Sequence, residues 1–415
     1  MMTKTKLALL ATVASCVLMQ PAMALDAQAF VDKVAHVYKT VGYDLEFGAA
    51  TLDGDTITVD GVTVKLAADP AAPTEFSFKE PITFTGVTEL DDGGYTVDTA
   101  SVPDVDTPIK EDGVEGRLTV AGIKAEDLYF PGVETIPAGD LLQLVGSFST
   151  GALSLECKGA VIVSYDTLES ISAFTPVDGG TDLSEIESSF SVNNIAIDLT
   201  TVKDEQPDET AMIDALGLTK VTGNINQHYT WTLADGHINL DQLLLDFDDV
   251  GALDVTAEVT GVTPAVLDQL YAMQANMIAE GGASTEEQSQ AQMMAGMALM
   301  QGVSLAKLGV RFDDYGITGR TLEALAAQNG VETAQFVEGL KSTLPALVGQ
   351  VGIPALTDMV VPAVSAFLDD PQSLEARVQP SQPTSLLVLM AGAANPAGLI
   401  KTLGLTVTAN QEAAE

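Results

Sequence analysis

Basic residues are scarce in this chain of 415 residues: 18 lysines and arginines stand against 58 aspartates and glutamates. An excess of that sign repels phosphate backbones and anionic lipid surfaces, which argues against nucleic-acid binding and against electrostatic docking on a membrane. Histidine occurs three times. His36 falls on the polar side of the first expected helix, His228 on a polar strand face and His237 at a hairpin turn several pairs away from it, so they read as surface or hydrogen-bonded side chains and no metal site is expected. Also missing are a Gly-x-Ser-x-Gly elbow, a Cys-His pairing, a His-Glu-x-x-His helix, a glycine-rich phosphate loop and a dinucleotide fingerprint. No enzyme class and no cofactor is therefore indicated. The acid pairs Asp91-Asp92, Asp248-Asp249 and Asp313-Asp314 stand beside glycine or a turn, where aspartate is favoured for local hydrogen bonding, and none fits a calcium loop.

Long apolar runs are also lacking, except at the start. Lys4 and Lys6 precede an apolar stretch over 7–19, followed by Gln20, Pro21 and the small-residue end Ala22-Met23-Ala24. That order is a secretory signal peptide, and the run is shorter than the ~20 residues of a membrane span. The sequence predicts cleavage between Ala24 and Leu25, a periplasmic address and a mature chain without a transmembrane helix. The alternative lies in Val13-Ala14-Ser15-Cys16, which matches a lipoprotein box and would tether the protein through an acylated Cys16. Loss of the signal leaves Cys157 as the one thiol, so the fold is expected to stand without an internal disulfide. Cys157 alternates with Leu153 and Leu155 and reads as a core thiol in preference to a reactive one.

What is present divides into a signal over 1–24, a strand-rich region with a leading helix over 25–262, a mainly helical region over 263–409 and a disordered tail over 410–415. Phe30, Val31, Val34, Tyr38 and Val41 keep helical spacing over 26–41. Strands and Asp-Gly or Gly-Gly turns follow. Five segments share one design: ITVDGVTV from Ile57, YTVDTASV from Tyr95, LTVAGIKA from Leu118, FSVNNIAI from Phe190 and INLDQLLL from Ile238. Each has two alternating apolar residues, an inserted polar or small pair, and two more alternating apolar residues. A strand repeats every two residues, so the inserted pair predicts a bulge or bend. A turn at Asp235-Gly236 would pair Leu233 with Ile238 and set His228 opposite Leu243. The fold expected is α+β: an N-terminal helix, a large bent or curled antiparallel sheet or sandwich, and a mainly helical C-terminal region with a short hairpin.

In the helical region Met273, Met277, Met293, Met294, Met297 and Met300 fall on two adjacent helices. Methionine fills irregular core gaps and also lines adaptable grooves. Core filling is the commoner use; if a groove exists, Met273, Met277, Met293, Met297 and Met300 against the sheet are its expected lining, with Arg311 as an anion clamp. An ion pair with Asp313 on the same strand face is the plainer role for Arg311.

The LxxxGxIxVxxVxL strand texture over 43–262, with a signal ahead and helices behind, resembles uncharacterised Gram-negative envelope proteins and the curled-sheet lipid-handling proteins of the AsmA-like group. That group usually keeps a membrane anchor, which the cleavage expected here would remove. The resemblance implies a periplasmic protein that binds or carries a lipid or another apolar ligand. The alternative is a structural or protein-interaction component of the envelope with no small-molecule ligand.

Overall fold

A computed structural model describes residues 25–66, 74–111, 114–177, 183–205, 207–279, 286–392 and 395–412. The signal segment, with Cys16 and Ala24, lies outside them. Asp26 is extended, and its carboxylate accepts hydrogen bonds from the backbone N–H groups of Gln28 and Ala29. Those are the donors a first helical turn leaves without partners, so the helix Ala27–Thr40 starts here. Phe30, Val31, Val34 and Val37 are buried along its one apolar side. The Phe30 ring meets Phe84, Tyr95 and Phe130 edge-on at 5.1, 5.3 and 6.0 Å, an arrangement the ring quadrupoles favour.

The helix covers one end of a large antiparallel sheet of 20 strand segments that does not close on itself. A small sheet of Tyr43–Phe47, Val62–Leu66 and Thr74–Phe78 stands beside it. The large sheet starts with the hairpin of Ala50–Asp53 and Thr56–Val59 and ends at Thr406–Ala409, with C-terminal helices inserted between its last strands. The architecture is thus α+β, with a leading helix and helices toward the C-terminus. Ser304–Asp314 pairs along its length with Gly251–Thr260, and Ser373–Val378 and Thr406–Ala409 follow, so the sheet runs on past residue 262. Among the described residues no helix is long and apolar enough to cross a membrane.

The inserted pairs of the repeated design are where strands change phase. Asn193-Asn194 breaks the register between Val192 and Ile195, with Asn194 at φ +55°. Asp241-Gln242 breaks it between Leu240 and Leu243. Asp60-Gly61 ends a strand of the large sheet and starts one of the small sheet. Ala121-Gly122 separates Val114–Val120 from Ile123–Phe130. Tyr95–Val102 passes its pair without a register shift because its neighbours are offset at the same level, at Gly86 (φ +67°) and Asp127 (φ +53°).

Breaks in adjacent strands lie level with one another and form seams. In one seam Gly122 N–H donates to Asp104 Oδ1 (2.9 Å), Gly151 N–H to the Ala121 carbonyl (2.8 Å), Asp166 N–H to the Asn193 carbonyl (3.0 Å) and Asn194 Nδ2 to Asp166 Oδ2 (2.8 Å). The polar residues of the repeats thus satisfy one another where ladder bonds lapse. Each seam resets the alternation by one residue, so apolar residues of opposite parity stay on one face: Val97 with Ala100, and Leu128 with Ala125, share one core cluster.

The hairpin at Asp235-Gly236 is wider than its sequence suggests. Thr232 pairs with His237 and Trp231 with Ile238, so the expected Leu233–Ile238 pairing is displaced by two, and His228 stands opposite Gln242. The cause is tertiary: Leu233 N–H donates to Ser184 O, and Gly236 O accepts from Val262 N–H, which draws both residues into longer-range bonds. The tail expected from residue 410 is also held at its start. Asn410 Nδ2 donates to the Asp370 carbonyl (2.8 Å) and the Gln411 carbonyl accepts from Arg311 Nη1 (3.0 Å); residues 413–415 lie outside the described ones.

Candidate functional site

Following the ladders across the large sheet shows what the phase resets accomplish. One row, a single residue from each of fourteen strands, reads Leu52, Ile57, Phe84, Ala100, Ala125, Phe148, Ser170, Phe190, Gln227, Leu243, Val255, Val310, Ala376 and Val407. Neighbours in such a row are about 5 Å apart. A second row, from Ser172 through Ser188, Tyr229, Leu240, Ala257 and Leu308 to Val378, lies on the same face. Neither row contains a charged side chain. Charge collects on the other face, as in the row Glu169, Ser191, Asn226, Leu244, Asp254, Arg311 and Glu375.

At the helix-covered end the apolar face opens into a cavity of about 460 Å³. Its roof is Val34 and Tyr38 of the helix, its side is Leu45, Phe47, Val62 and Val64 of the small sheet, and its floor is the large sheet. The floor is hollow because Ala100 and Ala125 lie side by side between Phe84 and Phe148. Gly146 reinforces this shape: a Cβ there would lie 2.7 Å from that of Asp127, so only glycine fits the seam. The lining carries no charged side chain; its polar groups are the Tyr38 hydroxyl and the serines Ser147, Ser170 and Ser172. Burial pushes the Tyr38 phenol above its ordinary range, with Tyr43 adding to the effect, so it stays neutral. Phe148 is 39% exposed and marks the open end, beside Ser170 and Ser172; Ser172 Oγ donates to Ser188 Oγ at 3.2 Å. The volume is in the ~300–1,000 Å³ range of small-molecule sites.

The groove residues expected from sequence lie elsewhere. Met293 and Met297, on Glu286–Gly302, are 59% and 39% exposed, because this helix leaves that side to solvent. Met273 and Met300 are half-buried, and the side chain of Met277 lies outside the described residues. Arg311 is on the charged face, paired with Asp313 (2.6 Å) and Glu375 (3.8 Å), so it serves as the ion-pair partner and faces away from the apolar rows. Among the described residues, none of these side chains lines the cavity. The strand repeats held the signal for it: Val62 and Val64 finish the first copy, Ala100 lies in the second and Ala125 in the third.

The other candidates are separate and locally occupied. His36 Nε2 lies 3.0 Å from the Glu134 carbonyl. His228 bridges Glu187 (3.1 Å) and Asp241 (3.0 Å) on the polar face, and His237 is 4.0 Å from Glu258. Cys157 is a free, half-buried thiol. A second cleft, bordered by Asp91, Asp92, Asp140 and Asp268, is acidic, but Asp92 accepts from Gly94 N–H and Asp268 from Ala138 N–H at 2.8 Å. Among the described residues no group of three or more His, Cys, Asp or Glu is placed to hold a metal ion.

A family model described as "Uncharacterized protein" matches residues 244–410, and no curated protein matches the chain. The matched segment runs from within the strand His237–Phe247 to Asn410 and does not reach the cavity, whose lining ends at Ser172.

Proposed function

We propose that this is an exported periplasmic protein that binds or carries a lipid or another apolar ligand. The observation that carries the reading is the uncharged cavity of about 460 Å³ continuous with an apolar sheet face. A closed domain would fill such space with side chains, because interiors are packed to crystal-like density. A chain laid there loses water on both sides, at about 0.8 kcal/mol per buried CH₂. The charged face and the excess of acids keep the other side of the sheet in water. The leading Lys4, Lys6 and apolar run 7–19 support export, with Leu25 as the first residue after cleavage and Cys16 as the lipidated alternative.

Native mass spectrometry of protein purified from its own envelope fraction tests both parts. Expected are a mature mass beginning at Leu25 and a population carrying an apolar small molecule. Ligand-free protein that also fails to take up a long-chain fluorescent probe would overturn the binding reading and favour a structural or protein-interaction role. A diacylated mass beginning at Cys16 would replace the free periplasmic protein by a tethered one.

A further inference from the structure

We infer that the cavity selects lipids with an uncharged head, of the class of monoacylglycerols and long-chain alcohols, and rejects those that carry phosphate. The inference rests on the reading above that a hydrocarbon chain enters beneath the helix. The chain end points toward Ala100 and Ala125, and the head stays at the open end beside Phe148.

What meets the head there is hydroxyl and amide. Ser170 and Ser172 line the mouth, Ser188 is hydrogen-bonded to Ser172, and Gln227 follows Phe190 in the row that leads away. Such groups donate to and accept from an ester or alcohol and can complete its hydrogen bonds. A phosphate at this place would surrender water without gaining a cation, which is costly for any charge entering an apolar setting. The nearest strands do carry cations, but those sit among carboxylates. Lys124 lies 2.5 Å from Glu126, and Lys65, on the strand that forms the cavity's side, lies 2.5 Å from Glu46. The overall balance of −40 adds a long-range repulsion for anions. A cationic head finds no complement either, since the carboxylates of adjoining strands, such as Glu169 and Glu187, belong to the opposite face. With neither sign provided for, the neutral head is the one the mouth fits.

The test uses delipidated, full-length mature protein loaded with a long-chain fluorescent probe, and three competitors with the same chain: monooleoylglycerol, oleyl phosphate and oleylamine. Monooleoylglycerol is expected to displace the probe at concentrations at least about tenfold lower than either charged competitor, the discrimination that one unpaired charge sets. Ser170→Lys, at the half-open mouth where a long side chain can reach water, is expected to improve oleyl phosphate by about tenfold and to weaken monooleoylglycerol. Equal or tighter displacement by oleyl phosphate or oleylamine on the unsubstituted protein overturns the head-group inference while leaving the chain-binding reading intact. Failure of the probe itself to bind overturns both.

Discussion

Replacing Ala125 by leucine puts the cavity to a direct stability test. Ala125 and Ala100 are adjacent small residues of a row, flanked by Phe84 and Phe148, and the hollow between helix and sheet stands over them. Leucine adds three carbons, a small part of about 460 Å³. Burying them in vacant apolar space is worth at most about 2.4 kcal/mol at ~0.8 kcal/mol per carbon, and imperfect fit removes part of that. Ala125→Leu is therefore expected to stabilise the ligand-free protein by about 1–2 kcal/mol and to weaken probe binding by about tenfold. Urea unfolding followed through the fluorescence of Trp231, the single tryptophan, measures the first effect; this side chain is 7% exposed and donates to the Val262 carbonyl at 2.9 Å. Probe titration measures the second. A loss of stability of more than about 1 kcal/mol would show that the space is already filled, as overpacking of a dense core does. Gained stability with unchanged binding would show that the ligand lies elsewhere.

Three further outcomes are expected. Phe30→Ala removes a fully buried ring with three edge-on partners and should cost about 3–5 kcal/mol in urea denaturation, since the helix that roofs the cavity is anchored there. Gly61→Ala should destabilise by about 1–3 kcal/mol in thermal melts, because Gly61 is at φ +76° and a Cβ would lie 2.4 Å from the Phe78 carbonyl oxygen. The hydrogen bond from His228 to Glu187, with Asp241 adding and partial burial opposing, raises the imidazole above its ordinary range. The stabilisation it gives is complete below the unfolded value of about 6.5 and is lost as pH rises through the raised folded value, so His228→Gln should lower the urea midpoint at about pH 5.5 and leave it nearly unchanged at about pH 9. Equal losses at both pH values would refute the ion-pair account.

Much of the fold could be read locally. The Asp26 cap and the spacing of Phe30, Val31 and Val34 define the first helix without reference to anything distant. The inserted pairs predict irregular strands because period two is a local property. The hairpin register was not local: bonds from Leu233 to Ser184 and from Val262 to Gly236 decide it, and both partners are remote in sequence. The cavity is less legible still. It depends on Ala100 meeting Ala125 across a ladder, and on Phe84 and Phe148 meeting them from outside, which no window of sequence displays. The methionines stand out in composition, but side chains such as Met293 turn to water, since spacing along a helix does not say which side a distant element covers.

The seams have a consequence for how this sequence can change. Each one stores a one-residue offset, and neighbouring strands store theirs at the same level. Deleting Ser191, away from the seam, would turn Phe190 and Val192 to opposite faces while the adjoining strands kept their phase. Away from the seams, length changes within these strands are thus compatible with the sheet only as even numbers of residues, or when a matching offset arises beside them. Single-residue insertions and deletions are confined to the turns and the seams, where losing Asn194 takes out only the extra residue, so the strand lengths of this sheet should drift far more slowly than its side chains.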